Sequence, residues 1–154
     1  MAANIYIHDL VYPRVFGAGQ YIGQFSDNSV DELKQMGTLM SLPGGSEVLD
    51  VGCGRGSVAR FMASTFGWKV TGIDIAGVPI ADALLAHGGS ADSSLTFIQD
   101  NIYSHAFARQ FAGIYGTGAF CHFDAARLFS RASSLLRAGG RIGFMDAAGN
   151  DWRR

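Results

Sequence analysis

The chain is poor in cysteine, in net charge and in long apolar runs, and each shortage removes a class of function. Its 154 residues include two cysteines, Cys53 and Cys121. That excludes a disulfide-built scaffold, and neither cysteine stands in a metal-ligand spacing, so no metal site is expected. A reducing, cytoplasmic setting is the expectation. The formal net charge is −1 and only 16% of residues are charged. No lysine–arginine cluster precedes Arg153-Arg154, so nucleic acid is not an expected partner. No apolar run approaches the roughly 18 residues of a membrane span, and the first residues lack the basic-then-apolar pattern of a secretory leader. Neither a membrane nor export is therefore expected. There are no internal repeats and no low-complexity tract.

What is present organises around Glu47-Val48-Leu49-Asp50-Val51-Gly52-Cys53-Gly54-Arg55-Gly56. A β-branched apolar run leads into a glycine-rich turn, and a helical pattern follows from Ser57 to Phe66. Strand, glycine turn and helix N-terminus begin a βαβ nucleotide-type site. Two details separate it from a dinucleotide site. The spacing is G-x-G-x-G, and Asp50 places a carboxylate at the strand end, where it repels a pyrophosphate. The same carboxylate suits a ligand with an ammonium or sulfonium group, which points to S-adenosylmethionine. The loop amides are expected to take that ligand's carboxylate, with backbone carbonyls and Asp50 taking its ammonium. A glycine turn without a ligand is the bland alternative.

The rest of the chain alternates strand and helix. Residues 1–28 show neither helical nor strand period. They read as an aromatic, glycine-containing arm that either packs on the domain or serves as a lid. The domain proper is expected over 29–154. Ser29-Val30-Asp31-Glu32 is a capping box opening a helix with Val30, Leu33, Met36, Leu39 and Met40 on one face, ended by Pro43-Gly44-Gly45. Strands are expected at about 47–51, 69–74, 95–99 and 141–146, with a fourth in sequence order within 113–122. After Gly56 a helix should bury Val58, Phe61, Met62 and Phe66. Another contains Pro79 in its first turn, buries Ile80, Ala83 and Leu84, and closes at Gly88-Gly89. A last helix, capped by Asp124, turns Leu128, Phe129, Ala132, Leu135 and Leu136 inward and ends at Ala138-Gly139-Gly140. This alternation predicts an α/β fold: a doubly wound, Rossmann-like parallel sheet with helices on both faces. Its loops after the first four strands share one edge, where ligands bind.

Asp74 ends the second strand and is placed to accept from both ribose hydroxyls. Asp100-Asn101 follows the third strand, with Asp100 placed to accept from the adenine amine. Each also reads as an ordinary turn or cap. The expected cofactor wall comprises Tyr21, Asp50, Gly52, Cys53, Gly54, Gly56, Asp74, Ile75, Asp100, Asn101 and Gly116. Both cysteines are expected to line it.

Together, V-L-D-V-G-C-G-R-G at 48–56, V-T-G-I-D at 70–74, Q-D-N at 99–101 and L-R-A-G-G-R-I-G-F-M-D at 136–146 resemble the class I S-adenosylmethionine-dependent methyltransferases. The resemblance covers about residues 12–146. It implies the fold, the cofactor and methyl transfer to an N, O or C nucleophile of a small molecule. Tyr12-Pro13-Arg14-Val15-Phe16-Gly17 with Tyr21-Ile22 is similar to the arm of phosphoethanolamine and sarcosine N-methyltransferases, and Tyr115 to His122 matches their fourth-strand spacing. In that group a histidine at the position of His122 assists catalysis. Where the phosphoethanolamine enzymes have an arginine and an aspartate after this strand, the chain has Thr117 and Gly118. The missing carboxylate removes a partner for a cationic amine. A neutral carbon or oxygen nucleophile, or an amine held differently, remains open. Family members continue for two further strands, so the chain is expected to be a fragment or part of an assembly, with self-association open.

His122 is the candidate base, since imidazole accepts protons near neutral pH, and a packed structural histidine is the alternative. Tyr21 is the second candidate, closing over the cofactor or orienting the acceptor. His8, His87 and His105 fit no pattern. Two other functions stay open: a methyltransferase-fold module without turnover, and a nicotinamide-dependent oxidoreductase, which the loop spacing and Asp50 disfavour.

Overall fold

A computed structural model describes residues 5–88 and 94–146. The elements in chain order are helix α1 (Ile7–Val15), α2 (Val30–Met40), β1 (Glu47–Val51), α3 (Ser57–Phe66), β2 (Lys69–Asp74), α4 (Gly77–His87), β3 (Leu95–Gln99), β4 (Phe111–Thr117), α5 (Ala125–Leu135) and β5 (Leu136–Met145). The five strands form one sheet in the order β3-β2-β1-β4-β5, and every neighbouring pair is parallel. Strand order reverses between β1 and β4. In a doubly wound sheet that reversal opens a crevice at the carboxyl ends of the strands.

Side chains alternate across β1 and so feed two cores. Val48 joins Leu33, Met36 and Met40 of α2 and Val58, Ala59 and Met62 of α3 on one face. Leu49 and Val51 join Ile114 of β4 and Leu128, Ala132 and Leu135 of α5 on the other. Ser29 caps α2 in a reciprocal box with Glu32. Gly67 stops α3 in the left-handed conformation at φ 68°. Asp124 caps α5 by accepting from the Arg127 amide at 2.8 Å.

Several expectations change. The arm contains a helix, α1, that periodicity hides because its apolar residues face outward. Ile7, Leu10, Val11 and Val15 are all exposed, and α1 has no buried residue. Helix α5 ends at Leu135 rather than at the glycines. Leu136 already pairs with Phe111, and pairing resumes at Arg141 opposite Gly113 after an irregularity in register. Phe129 is not inward. It is exposed, and its ring meets those of Phe120 and Phe144 at 5.7 and 5.8 Å. Leu39 and Leu84 are exposed, and Phe61 and Phe66 are half-buried. Gly88 closes α4 with an ordinary right-handed φ of −80°. Gly89 and the chain end from 147 lie outside the described residues. Among the described residues no helix is long and apolar enough to cross a membrane.

Candidate functional site

A cleft of about 660 Å³ opens at the carboxyl ends of the strands, around the reversal point. Each wall comes from a strand end. Asp50 to Arg55 span the end of β1 and the turn after it, Ile73 to Ala76 the end of β2 and its turn, Asp100 to Tyr103 follow β3, and Thr117 to Ala119 with His122 and Phe123 come from the end of β4 and the segment after it. The arm adds His8 and Gly23 to Phe25.

Asp50 sits at the bottom, 1% exposed, where its Oδ2 accepts from the Tyr115 hydroxyl at 3.1 Å. Burial pushes its carboxyl up to about 7, and the nearby Asp74 charge adds to the rise. Cys53 lies beside these two acids. Burial, then the two carboxylates, push its thiol far above the usual range, so it stays a neutral, unreactive thiol.

Asp74 ties the glycine turn to β2. Its Oδ2 accepts from the Gly54 amide at 2.8 Å and its Oδ1 from the Ala76 amide at 2.9 Å. The Gly52 and Cys53 amides donate to the Ile73 carbonyl, and the Gly56 amide donates to the Cys53 carbonyl. These four amides therefore do not face a ligand, contrary to the expectation. The reason is geometric: the turn folds back over the end of β2. The amides left to a ligand belong to the first turn of α3. Gly56 caps that helix with φ 78° and has no side chain to satisfy them, and Ser57 and Val58 line the cleft.

At β3, Asp100 Oδ1 accepts from the Asn101 amide at 2.7 Å, and Oδ2 lies 2.8 Å from His105 Nδ1. The His105 contact, then the Asn101 amide, hold the Asp100 carboxyl below its usual range. Asn101 Oδ1 accepts from the Tyr103 amide at 2.9 Å, so its side chain builds the turn. Ile75 lines the rim at 69% exposure, an apolar surface open to a flat ring. His122 belongs to a short 3₁₀ turn, Phe120–His122, and stands exposed at the cleft wall.

Three expected wall residues lie off the cleft. Gly116 is buried between strands, where an added Cβ would meet the Val51 carbonyl at 2.8 Å and the Phe144 ring at 2.9 Å. Gly56 is required by packing, since a Cβ there would lie 2.5 Å from the Phe97 ring. Tyr21 donates to Asp9 at 2.8 Å and accepts from Arg55 at 2.8 Å, so its hydroxyl is already committed. Burial and the Asp9 hydrogen bond push that phenol up to about 12. Cys121 also lies away from the cleft. It is exposed, and its amide donates to Asp146 at 2.8 Å.

Other wall residues escaped the sequence reading. Arg55 is the chief one. From the glycine turn its guanidinium pairs with Asp9 of α1, donates from Nε to the Gly23 carbonyl at 2.6 Å, and stacks over Phe25 at 4.9 Å and Tyr6 at 5.3 Å. The signal was visible as a lone cation inside a glycine turn, but its partners are 32 and 46 residues away. His8, Phe25, Tyr103, Ala119 and Phe123 gave no local signal.

The comparisons agree with this geometry. A family model described as "Methyltransferase domain" matches residues 48–140. The chain belongs to the class I S-adenosylmethionine-dependent methyltransferase family. Phosphoethanolamine N-methyltransferase 1 of Arabidopsis thaliana is 33% identical over 134 residues, covering 86% of this chain and 26% of that protein. The O-methyltransferase resE of Aspergillus sclerotiorum is 28% identical, over 82% of this chain and 52% of its own length. The solved phosphoethanolamine N-methyltransferase 2 of Haemonchus contortus, in complex with phosphomonomethylethanolamine and S-adenosylhomocysteine, superposes with a TM-score of 0.74. It is 27% identical, over 87% of this chain and 31% of that one. The methyltransferase domain described here thus spans from about a quarter to about half of these relatives.

Proposed function

We propose that this chain binds S-adenosylmethionine and supports methyl transfer to a small-molecule acceptor. The observation that carries the reading is Asp50. It is a carboxylate 1% exposed, raised to about 7 by its burial, and it lines the cleft beside the glycine turn. Such a group is stabilised by an incoming cation and opposes an incoming pyrophosphate. The cofactor carries an ammonium and a sulfonium, and its carboxylate suits the uncapped first turn of α3. Asp74 keeps lone pairs for ribose hydroxyls, and Ile75 and Asp100 suit the adenine. When bound, S-adenosylmethionine supplies an electrophilic methyl group.

The protein's own work is then chiefly positioning, which is worth roughly 7–11 kcal/mol when reacting groups are held in line. His122 is placed on the wall to take a proton from the acceptor. The arm, through His8, Gln24 and Phe25, covers the cleft and excludes water. Tyr21 acts through Arg55 by holding the arm to the glycine turn. The two free thiols suit a reducing, cytoplasmic setting and metabolism of a small molecule.

Titration calorimetry with S-adenosylmethionine, S-adenosylhomocysteine and NAD tests the reading. The first two are expected to bind and NAD is not. Binding of NAD alone overturns the assignment, and binding of none favours a module without turnover.

A further inference from the structure

Resting on the reading that places the adenine at Asp100, we infer that His105 is a positioning residue for base recognition: it fixes the Asp100 carboxylate so that the site takes a 6-amino purine and rejects a 6-oxo one. Asp100 lines the cleft after β3, and His105 does not. The imidazole acts through the carboxylate, its Nδ1 lying 2.8 Å from Asp100 Oδ2. An ionised carboxylate only accepts, so Nδ1 is the nitrogen that carries hydrogen. The Asn101 amide donates to the other oxygen, Oδ1, at 2.7 Å. One donor on each oxygen sets the plane of the carboxylate. The same two contacts hold it ionised, with His105 the larger cause. Each oxygen keeps a lone pair for a further donor.

His105 is itself built in. Its amide donates to the Asn101 carbonyl at 2.9 Å. Arg131 of α5 donates from Nε to the Ile102 carbonyl at 2.9 Å and from Nη2 to the His105 carbonyl at 2.5 Å. The imidazole ring meets Phe107 edge-on at 4.5 Å, and Phe107 meets the fully buried Phe111 of β4 at 5.3 Å. The half-buried imidazole is thus tied to α5 and β4, and the exposed Asp100 is tied to the imidazole. Untied, an exposed carboxylate exchanges between rotamers. The fixed acceptor sorts bases by their 6-position. An exocyclic amine donates to it, whereas an oxo group at the same place sets lone pair against lone pair. A carboxylate free to swing keeps less of both the gain and the penalty.

The test is calorimetry with S-adenosylhomocysteine and S-inosylhomocysteine, which differ at that 6-position. The protein is expected to prefer the adenosyl compound by about tenfold to a hundredfold, the scale of one charged hydrogen bond. Asp100→Asn is expected to remove the preference. His105→Phe keeps a ring against Phe107 and removes the nitrogen. It is expected to lower the ratio of the two affinities about threefold to fivefold, the scale of one exposed ion contact. His105→Asn returns an amide N–H near the place of Nδ1 and is expected to restore the ratio. A role confined to building the turn would weaken both compounds alike and leave the ratio unmoved. His105→Ala repeats the measurement should His105→Phe fail to fold. A ratio unmoved by loss of the imidazole, or not restored by His105→Asn, overturns the role of His105. If Asp100→Asn still removes the preference, the adenine placement stands. Wild-type protein without a preference, or a preference kept in Asp100→Asn, overturns the adenine placement and the inference with it. Failure to bind S-adenosylhomocysteine overturns the cofactor reading as well.

Discussion

The Arg55 guanidinium, carried on the glycine turn after β1, forms a two-pronged ion pair with the Asp9 carboxylate of α1, 46 residues earlier in the chain. The two side chains are 16% and 28% exposed. Helix α1 buries no residue of its own, and polar and ring contacts seat it: this pair, the Tyr6 hydroxyl on Asp82 at 2.6 Å, the Tyr12 hydroxyl on Asp27 and the His8 ring on Phe25 among them. Asp9→Asn is expected to loosen residues 5–28 and to cost about 1.5–3 kcal/mol, the range for hydrogen bonds to charged groups. Hydrogen exchange over the arm checks it. The Arg55 contact holds the Asp9 carboxyl well below the usual range, so its stabilisation is present above about pH 4. It is lost as pH falls through the lower folded value, and the difference between wild type and Asp9→Asn should close there.

Asp50 behaves in the opposite sense. Its folded pKa of about 7 exceeds the ordinary 3.8, so the fold favours the protonated acid. Its contribution to stability is full below about pH 4 and declines as pH rises toward 7. Asp50→Asn should therefore gain on wild type in thermal stability between pH 4 and pH 7. A cofactor ammonium beside Asp50 restores the carboxylate, so binding near pH 6 should release a proton. Calorimetry in buffers of different ionisation enthalpy reads that proton, and Asp50→Asn should abolish it.

Asp74→Ala should weaken S-adenosylmethionine about tenfold to a hundredfold, the equivalent of one lost charged hydrogen bond. The Gly54 and Ala76 amides lose their acceptor in the same variant. A lower melting temperature is therefore expected together with the weaker binding. Unchanged affinity sinks the ribose assignment.

His122→Ala should lower turnover by about 10²-fold or more while cofactor affinity stays within twofold, the pattern of a lost proton acceptor. Unchanged turnover makes His122 a rim residue only.

Gly37→Ala is expected to destabilise. In an exposed helix this change gains up to about 1 kcal/mol. Here a Cβ would lie 2.2 Å from the ring of the half-buried Phe66, which has to give up its stack at 4.8 Å on the fully buried Trp68 to make room. A melt of the variant gives the sign.

Local signals carried most of the framework. The bounds of β1, β2 and β3 follow from short apolar runs closed by Gly or Asp, and those of α3 from an apolar helical face between Gly56 and Gly67, because such signals act within a few residues. The positions of Asp50, Asp74 and Asp100 at consecutive strand ends follow too, since parallel topology brings those ends together. Helix α1 was not legible, because its outward face is apolar and its inward face is polar and aromatic, the reverse of the usual period. The extra length of β5 escaped for a similar reason. Leu136 pairs with Phe111 across the sheet, a contact no local pattern encodes.

The amino-acid sequence by itself determined the strand–glycine turn–helix unit, the alternation that forces a parallel doubly wound sheet, and the acids that face the cleft. These depend on backbone preference and short-range periodicity. Only the tertiary structure decided which loop amides remain available and that Arg55 is spent on Asp9 and Tyr21. Those facts depend on which side chains meet across 20 to 65 residues of chain, as in Gly54 with Asp74 and Tyr115 with Asp50. Such meetings are set by packing rather than by any spacing along the chain.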